Sequence, residues 1–81
     1  MNEMHMRTIE EYTSITTMIE KLIERENENI AMYERTVHVV GDCLVKPLLI
    51  SIAQEKREHR ELLERELSEL NEQFTLDEAI I

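Results

Sequence analysis

The chain has 81 residues, enough for one domain, and its net charge of −9 opposes binding to nucleic acid, which requires a basic surface. The same charge opposes binding to an anionic membrane surface. One Gly, one Pro and a charged fraction of 33% favour helix over sheet. Cys43 is the single cysteine, so no intrachain disulfide and no CxxC zinc motif is expected, which fits a cytoplasmic location.

The first predicted element is a helix over about residues 8–40. Residues 1–7 are expected to fray, and they lack the apolar core of a signal peptide. Thr8 is the expected N-cap, because Glu11 follows three residues later as in a capping box. Apolar residues then recur at helical spacing as far as Gly41, which is a typical residue at the end of a helix.

A turn over about residues 41–43 leads into a second predicted helix over about residues 44–74. The most apolar stretch, residues 44–53, is too short to span a bilayer, so we expect a soluble protein. Residues 75–81 are expected to form a short tail, which is a candidate docking segment for a protein partner.

Two long helices joined by a short turn predict an all-α fold, an antiparallel helical hairpin. Each helix would be about 45–50 Å long, and two such helices cannot cover each other's apolar stripes. Chains of this size often complete their core by oligomerising. We therefore expect a homodimer, or a higher homo-oligomer, in which paired hairpins form a four-helix bundle. Tyr12 is expected only to pack in this core.

Glu26 and His59 interrupt the two apolar stripes at their centres. On a wheel of about 100° per residue, the apolar side chains of each predicted helix cluster around them. A buried carboxylate or imidazole must be paired, hydrogen-bonded or bound to a metal, because its desolvation is costly. Glu55 lies one turn before His59 and can reach the same point. A two-fold axis at this level would gather both copies of all three residues into a cradle for two divalent metals.

Residues 19–70 resemble the ferritin-like superfamily, and in particular small rubrerythrin-like and encapsulated-ferritin-like proteins. The matching segments are ERENENIAMY, with Glu26 and Tyr33, then GDCLVKPLL, then IAQEKREHRELLERELSEL, with Glu55 and His59. The family places Glu on one helix, with Tyr two turns later, and Glu-x-x-His on the next helix. The resemblance implies a non-haem di-iron site that is completed when two-helix subunits dimerise.

The chain departs from this pattern at Lys56, where Glu-x-x-His would require Glu. A one-residue π-bulge could bring Glu55 into register, since such bulges are frequent at functional sites. The apolar stripe keeps its phase on both sides of this position, however, which favours an unbroken helix with Glu55 and His59 at i and i+4. Lys56 also borders the inward stripe, so it is a candidate ion-pair partner for Glu26.

Two functions are consistent with these residues. The first is a ferritin-like di-iron protein that binds Fe(II), with ferroxidase-like or peroxide-reducing activity. Its metal ligands would be Glu26, Glu55 and His59, with Tyr33 and Lys56 as the neighbouring residues. The second is a non-enzymatic dimerisation or adaptor module, in which Glu26, Lys56 and His59 form a buried polar network without metal. Divalent-metal storage or sensing without redox turnover is a weaker third interpretation. In both of the first two cases we expect Glu26 to be buried and to face a buried His59.

Overall fold

The computed structural model describes the backbone of residues 8–80 and is all-α over that range. Helix α1 spans Ile9–Val40, and helix α2 spans Val45–Ile80. The two helices pack against each other, and contacts between the start of α1 and the end of α2 make the pair antiparallel. The predicted hairpin is therefore confirmed, whereas its assembly into a four-helix bundle stays a prediction. The expected fraying of residues 1–7 lies outside the described residues.

The start of α1 is fixed by hydrogen bonds between Thr8 and Glu11. The Thr8 Oγ1 atom accepts a hydrogen bond from the Glu11 amide at 3.1 Å, and the Thr8 amide donates to Glu11 Oε1 at 2.9 Å. These two bonds form the predicted capping box, which satisfies amide groups that the first turn of a helix leaves unpaired. Glu10 and Glu11 also place negative charge at the positive end of the helix dipole.

Gly41 ends α1 with a backbone conformation of φ 60° and ψ −142°. Residues with a side chain rarely adopt this region, and glycine adopts it easily. A Cβ atom added at this position would meet no atom within 4 Å, so the requirement for glycine comes from the backbone alone. The Lys46 amide then donates to the Cys43 carbonyl at 3.1 Å as α2 begins. Pro47 follows in the first turn of α2, where its missing amide hydrogen costs little.

Helix α2 continues to Ile80, so the expected tail is wrong for residues 75–80. These residues contain no Gly or Pro that would stop a helix. The extension is also anchored, because Asp77 is only 7% exposed and accepts a hydrogen bond from Tyr12 near the start of α1. The last two turns of α2 therefore belong to the hairpin.

The hairpin by itself buries few apolar side chains. Within the described residues, those that are almost fully buried are Tyr12, Ile30 and Ala53. The large apolar side chains that remain exposed are Ile9, Met18, Leu22, Met32, Val39, Leu44, Val45, Leu48, Ile50, Leu62 and Leu76. Over the part of the chain that the structure describes, neither helix holds a stretch that is both apolar and long enough to cross a membrane.

Candidate functional site

Glu26 lies at the centre of α1 and turns its carboxylate toward α2. Its side chain is 15% exposed, so Glu26 is largely but not fully buried, close to the predicted burial. The Oε1 atom lies 3.5 Å from the Nζ atom of Lys56, and the Oε2 atom lies 3.7 Å from the Nδ1 atom of His59. The structure thus brings together the three residues of the predicted polar network, at similar distances along the chain from the turn.

His59 faces Glu26, but the expectation that it is buried is wrong for the single chain. Its side chain is 59% exposed. The apolar stripe of α2 is wider than the strip that α1 can cover, and His59 lies on the uncovered side of that stripe. Leu48 and Leu62, which the helical wheel places near His59, are 59% and 52% exposed for the same reason.

Lys56 supplies the positive charge beside Glu26. Its side chain is 27% exposed, and its ammonium group reaches the carboxylate from the next helix. The predicted pairing of Lys56 with Glu26 is therefore confirmed. The 3.5 Å separation exceeds the 2.7–2.9 Å that is usual for a charge-assisted hydrogen bond, so the contact is a loose ion pair.

The second carboxylate oxygen of Glu26 is buried and accepts no hydrogen bond in this structure. The Nδ1 atom of His59 at 3.7 Å is beyond hydrogen-bond distance. A buried acceptor without a donor costs about 1–3 kcal/mol, because it has lost its bonds to water and gained none in return. The site therefore contains one unsatisfied acceptor beside one half-exposed imidazole.

Two further interhelical pairs lie next to this centre. Arg60 donates to the side-chain oxygen of Asn27 at 2.9 Å, and Arg57 forms an ion pair with Glu34. Neither pair was expected from the sequence. The register of the hairpin could have suggested the first pair, since Arg60 and Asn27 lie 19 and 14 residues from Gly41. It would not have suggested the second, since Arg57 and Glu34 lie 16 and 7 residues from Gly41.

The residues of one chain do not fit a di-iron site. Glu55 is exposed, and the Lys56 ammonium group beside Glu26 would repel a divalent cation. Over the described residues of the single chain, no group of three or more His, Cys, Asp or Glu side chains could hold a metal ion. A metal site would need carboxylates from a second chain. Tyr33 is half-buried on α1, and its predicted position near metal ligands stays a prediction.

A second polar cluster closes the open end of the hairpin. Tyr12 is 2% exposed and stacks on Phe74, with 4.8 Å between the ring centroids and 18° between the ring planes. Its hydroxyl donates to Asp77 Oδ2, and the side-chain Nε2 atom of Gln73 donates to Asp77 Oδ1 at 2.9 Å. The expectation that Tyr12 only packs is therefore wrong. The sequence feature that could have predicted this hydrogen bond is Asp77, which lies five full helical turns beyond His59 and so on the same stripe of α2.

Comparison of the chain with protein-family models, with curated proteins and with solved structures gives no match. The resemblance to ferritin-like proteins, and the iron that it implies, stay predictions.

Proposed function

We propose that this chain is a non-enzymatic helical dimerisation module, in which two hairpins form a four-helix bundle around a polar network of Glu26, Lys56 and His59. The observation that carries this proposal is the contact between Lys56 Nζ and Glu26 Oε1 at 3.5 Å. An ammonium group here partly neutralises the central carboxylate, which is the task that a metal ion performs in a di-iron bundle. The charge of Glu26 is then offset without a cofactor, and the network serves to select the partner and the register of the helices.

The distribution of apolar side chains supports association. An isolated pair of helices is a marginal fold, because it removes little apolar surface from water. Leu22, Leu48 and Leu62 are 42%, 59% and 52% exposed, and the helical wheel places them beside Glu26 or His59. A second hairpin packed against this face would bury these side chains and complete the apolar core.

Sedimentation equilibrium at micromolar concentration tests the proposal. We expect at least a dimer, with unfolding whose midpoint rises with protein concentration, because only the folded state associates. A monomer that melts cooperatively at a midpoint independent of concentration would overturn the proposal.

The di-iron protein is the second candidate, and one observation favours it. The buried Oε2 atom of Glu26 is unsatisfied and lies beside the half-exposed imidazole of His59, and both groups are metal-ligand types. Dimerisation would add the Glu26, Glu55 and His59 side chains of the second copy. Lys56 opposes metal binding unless its long stem carries the ammonium group outward.

Titration of the anaerobic protein with Fe(II) separates the two candidates. The dimerisation module predicts no saturable binding near two irons per dimer, and the same weak binding after the substitution His59→Ala. Saturable binding at that stoichiometry, lost on His59→Ala and strengthened by Lys56→Glu, would establish the iron protein instead.

A protein partner that docks on residues 75–81 remains a separate prediction, with Leu76, 59% exposed, as the apolar side chain available to it.

A further inference from the structure

We propose that the two hairpins of the dimer run in opposite directions, so that the turn of each chain lies beside the open end of its partner. The inference rests on the proposed homodimer and adds the orientation of its two chains. The surface on which the second copy packs, called the open face below, carries the exposed side chains of Leu22, Leu48, His59 and Leu62.

The charge of the chain lies mostly at one end of the hairpin. The level at which Glu26 faces His59 divides the hairpin into two halves. Residues 26–59, the half that contains the turn, carry six acidic and four basic side chains and a net charge of −2. Residues 8–25 and 60–80, the half with the open end, carry eleven acidic and four basic side chains and a net charge of −7. An aligned pair would place two halves of charge −7 side by side, whereas an opposed pair places each beside a half of charge −2.

The open face itself shows the same difference. A strip of α2 lies about 20–80° from His59 on its uncovered side, and Leu62 is half-exposed within this strip. The helical wheel places Glu66 and Glu69 on the two edges of the strip, and both side chains are exposed. Between the turn and Glu55 the same strip is uncharged and consists of Leu44, Leu48 and Ser51. The acidic part of the open face is therefore at the open end.

Electrostatic repulsion, and not the burial of apolar surface, selects between the two orientations. Either pair covers the apolar stripes over their full length when the two centres coincide. In an aligned pair every residue lies at the level of its own copy, so Glu55, Glu66 and Glu69 would each meet a like charge at an interface, where salt screens repulsion less than in open solvent. In an opposed pair centred on His59, Glu66 and Glu69 lie at the level of residues 49–52 of the partner chain, which carry no charge.

The single cysteine of the chain allows the orientation to be measured. Cys43 is exposed in the turn, so a nitroxide spin label can be attached there, and double electron–electron resonance then reports the distance between the two labels of a dimer. We expect about 50 Å, because each label lies 16 residues from His59 and a helix rises about 1.5 Å per residue. An aligned pair would give less than about 30 Å, since one hairpin is only 20 × 18 Å across and neighbouring helices pack about 8–10 Å apart.

A second labelling site supplies the matched control. Thr75 is exposed and lies 16 residues beyond His59, as far from the centre as Cys43 on the other side. The variant that combines Cys43→Ser with Thr75→Cys should also give about 50 Å by itself. In a mixture of the two labelled chains, we expect a new distance below about 30 Å, because an opposed pair brings position 43 of one chain beside position 75 of the other.

The aligned pair predicts the reverse pattern, and finding it would overturn the proposed orientation while leaving the homodimer standing. That pattern is a main distance below about 30 Å for each labelled chain alone and about 50 Å for the mixed pair. Sedimentation equilibrium of the labelled chains shows whether a dimer is present. A monomer there, together with no coupling between labels, would overturn the proposed function itself.

Discussion

The charge balance around Glu26 depends on Lys56. We expect Lys56→Glu to lower the free energy of unfolding by about 2–3 kcal/mol, because it replaces an attraction with a repulsion between two largely buried carboxylates. The expected cost lies below that of a fully buried pair, since Lys56 is 27% and Glu26 15% exposed. Urea unfolding at a fixed protein concentration measures it.

Lys21→Glu is the matched control for that substitution, because it makes the same charge change at an exposed position of α1. It should change the free energy of unfolding by less than about 0.5 kcal/mol. Equal effects of the two substitutions would mean that only net charge matters and that the ion pair with Glu26 contributes nothing.

Tyr12 offers a second test at the residue scale. Tyr12→Phe keeps the stacking on Phe74 and removes the hydroxyl that donates to the buried carboxylate of Asp77. We expect a loss of about 1–3 kcal/mol in the free energy of unfolding, because a buried carboxylate loses one of its donors. Tyr33→Phe, at a half-buried position of the same helix, should cost less. The role of the hydroxyl is refuted if both variants melt at the same temperature.

At the scale of the helices, the start of α1 could be predicted and the end of α2 could not. Thr8, Glu11 and Gly41 are local signals, since capping and a positive φ depend on a few neighbouring residues. The end of α2 depends on a contact between Tyr12 and Asp77, which are 65 residues apart in the chain. The absence of Gly and Pro from residues 75–80 permits the helix to continue, but only the contact with Tyr12 holds its end against α1.

Some features of the candidate site could likewise be predicted from the sequence, and others could not. Helical phase and the position of the turn predicted that Glu26 and His59 lie at one level, because both follow from residue spacing. The exposure of His59 did not follow, since a wheel shows which side chains share a stripe but not how much of the stripe one neighbouring helix covers. The reach of Lys56 toward Glu26 likewise depends on how closely the two helices pack.

Gly41 tests the turn that joins the helices. Gly41→Ala should lower the free energy of unfolding by about 1–2 kcal/mol, because the φ of 60° and ψ of −142° at this position are costly for any residue with a Cβ atom. The space around the position is open, so a steric clash adds nothing. Thermal unfolding measures the effect, with Asp42→Ala in the same turn as the control. An unchanged melting temperature would show that the turn relaxes to another conformation.

For the molecule as a whole, the face that carries Glu26 and His59 remains open in a single hairpin. If a partner packs on this face, a charged substitution should weaken association at an exposed apolar position of this face and not at an exposed apolar position on another side of the helices. Leu48 is 59% exposed on the stripe of His59, and Val39 is 84% exposed on α1, about 140° from Glu26. A charge introduced at Leu48 would contact the partner, whereas a charge introduced at Val39 would contact only solvent.

We therefore expect Leu48→Glu to weaken the dimer by at least about tenfold in dissociation constant, since a new carboxylate would be buried at the interface without a partner. Val39→Glu should leave the dissociation constant nearly unchanged, although it adds the same charge to a chain that already carries −9. Sedimentation equilibrium over a range of concentrations compares the two variants, and raised salt removes the part of the effect that comes from net charge. If Val39→Glu dissociates the dimer and Leu48→Glu does not, the chains associate through the opposite face, and Glu26 and His59 do not meet their partners.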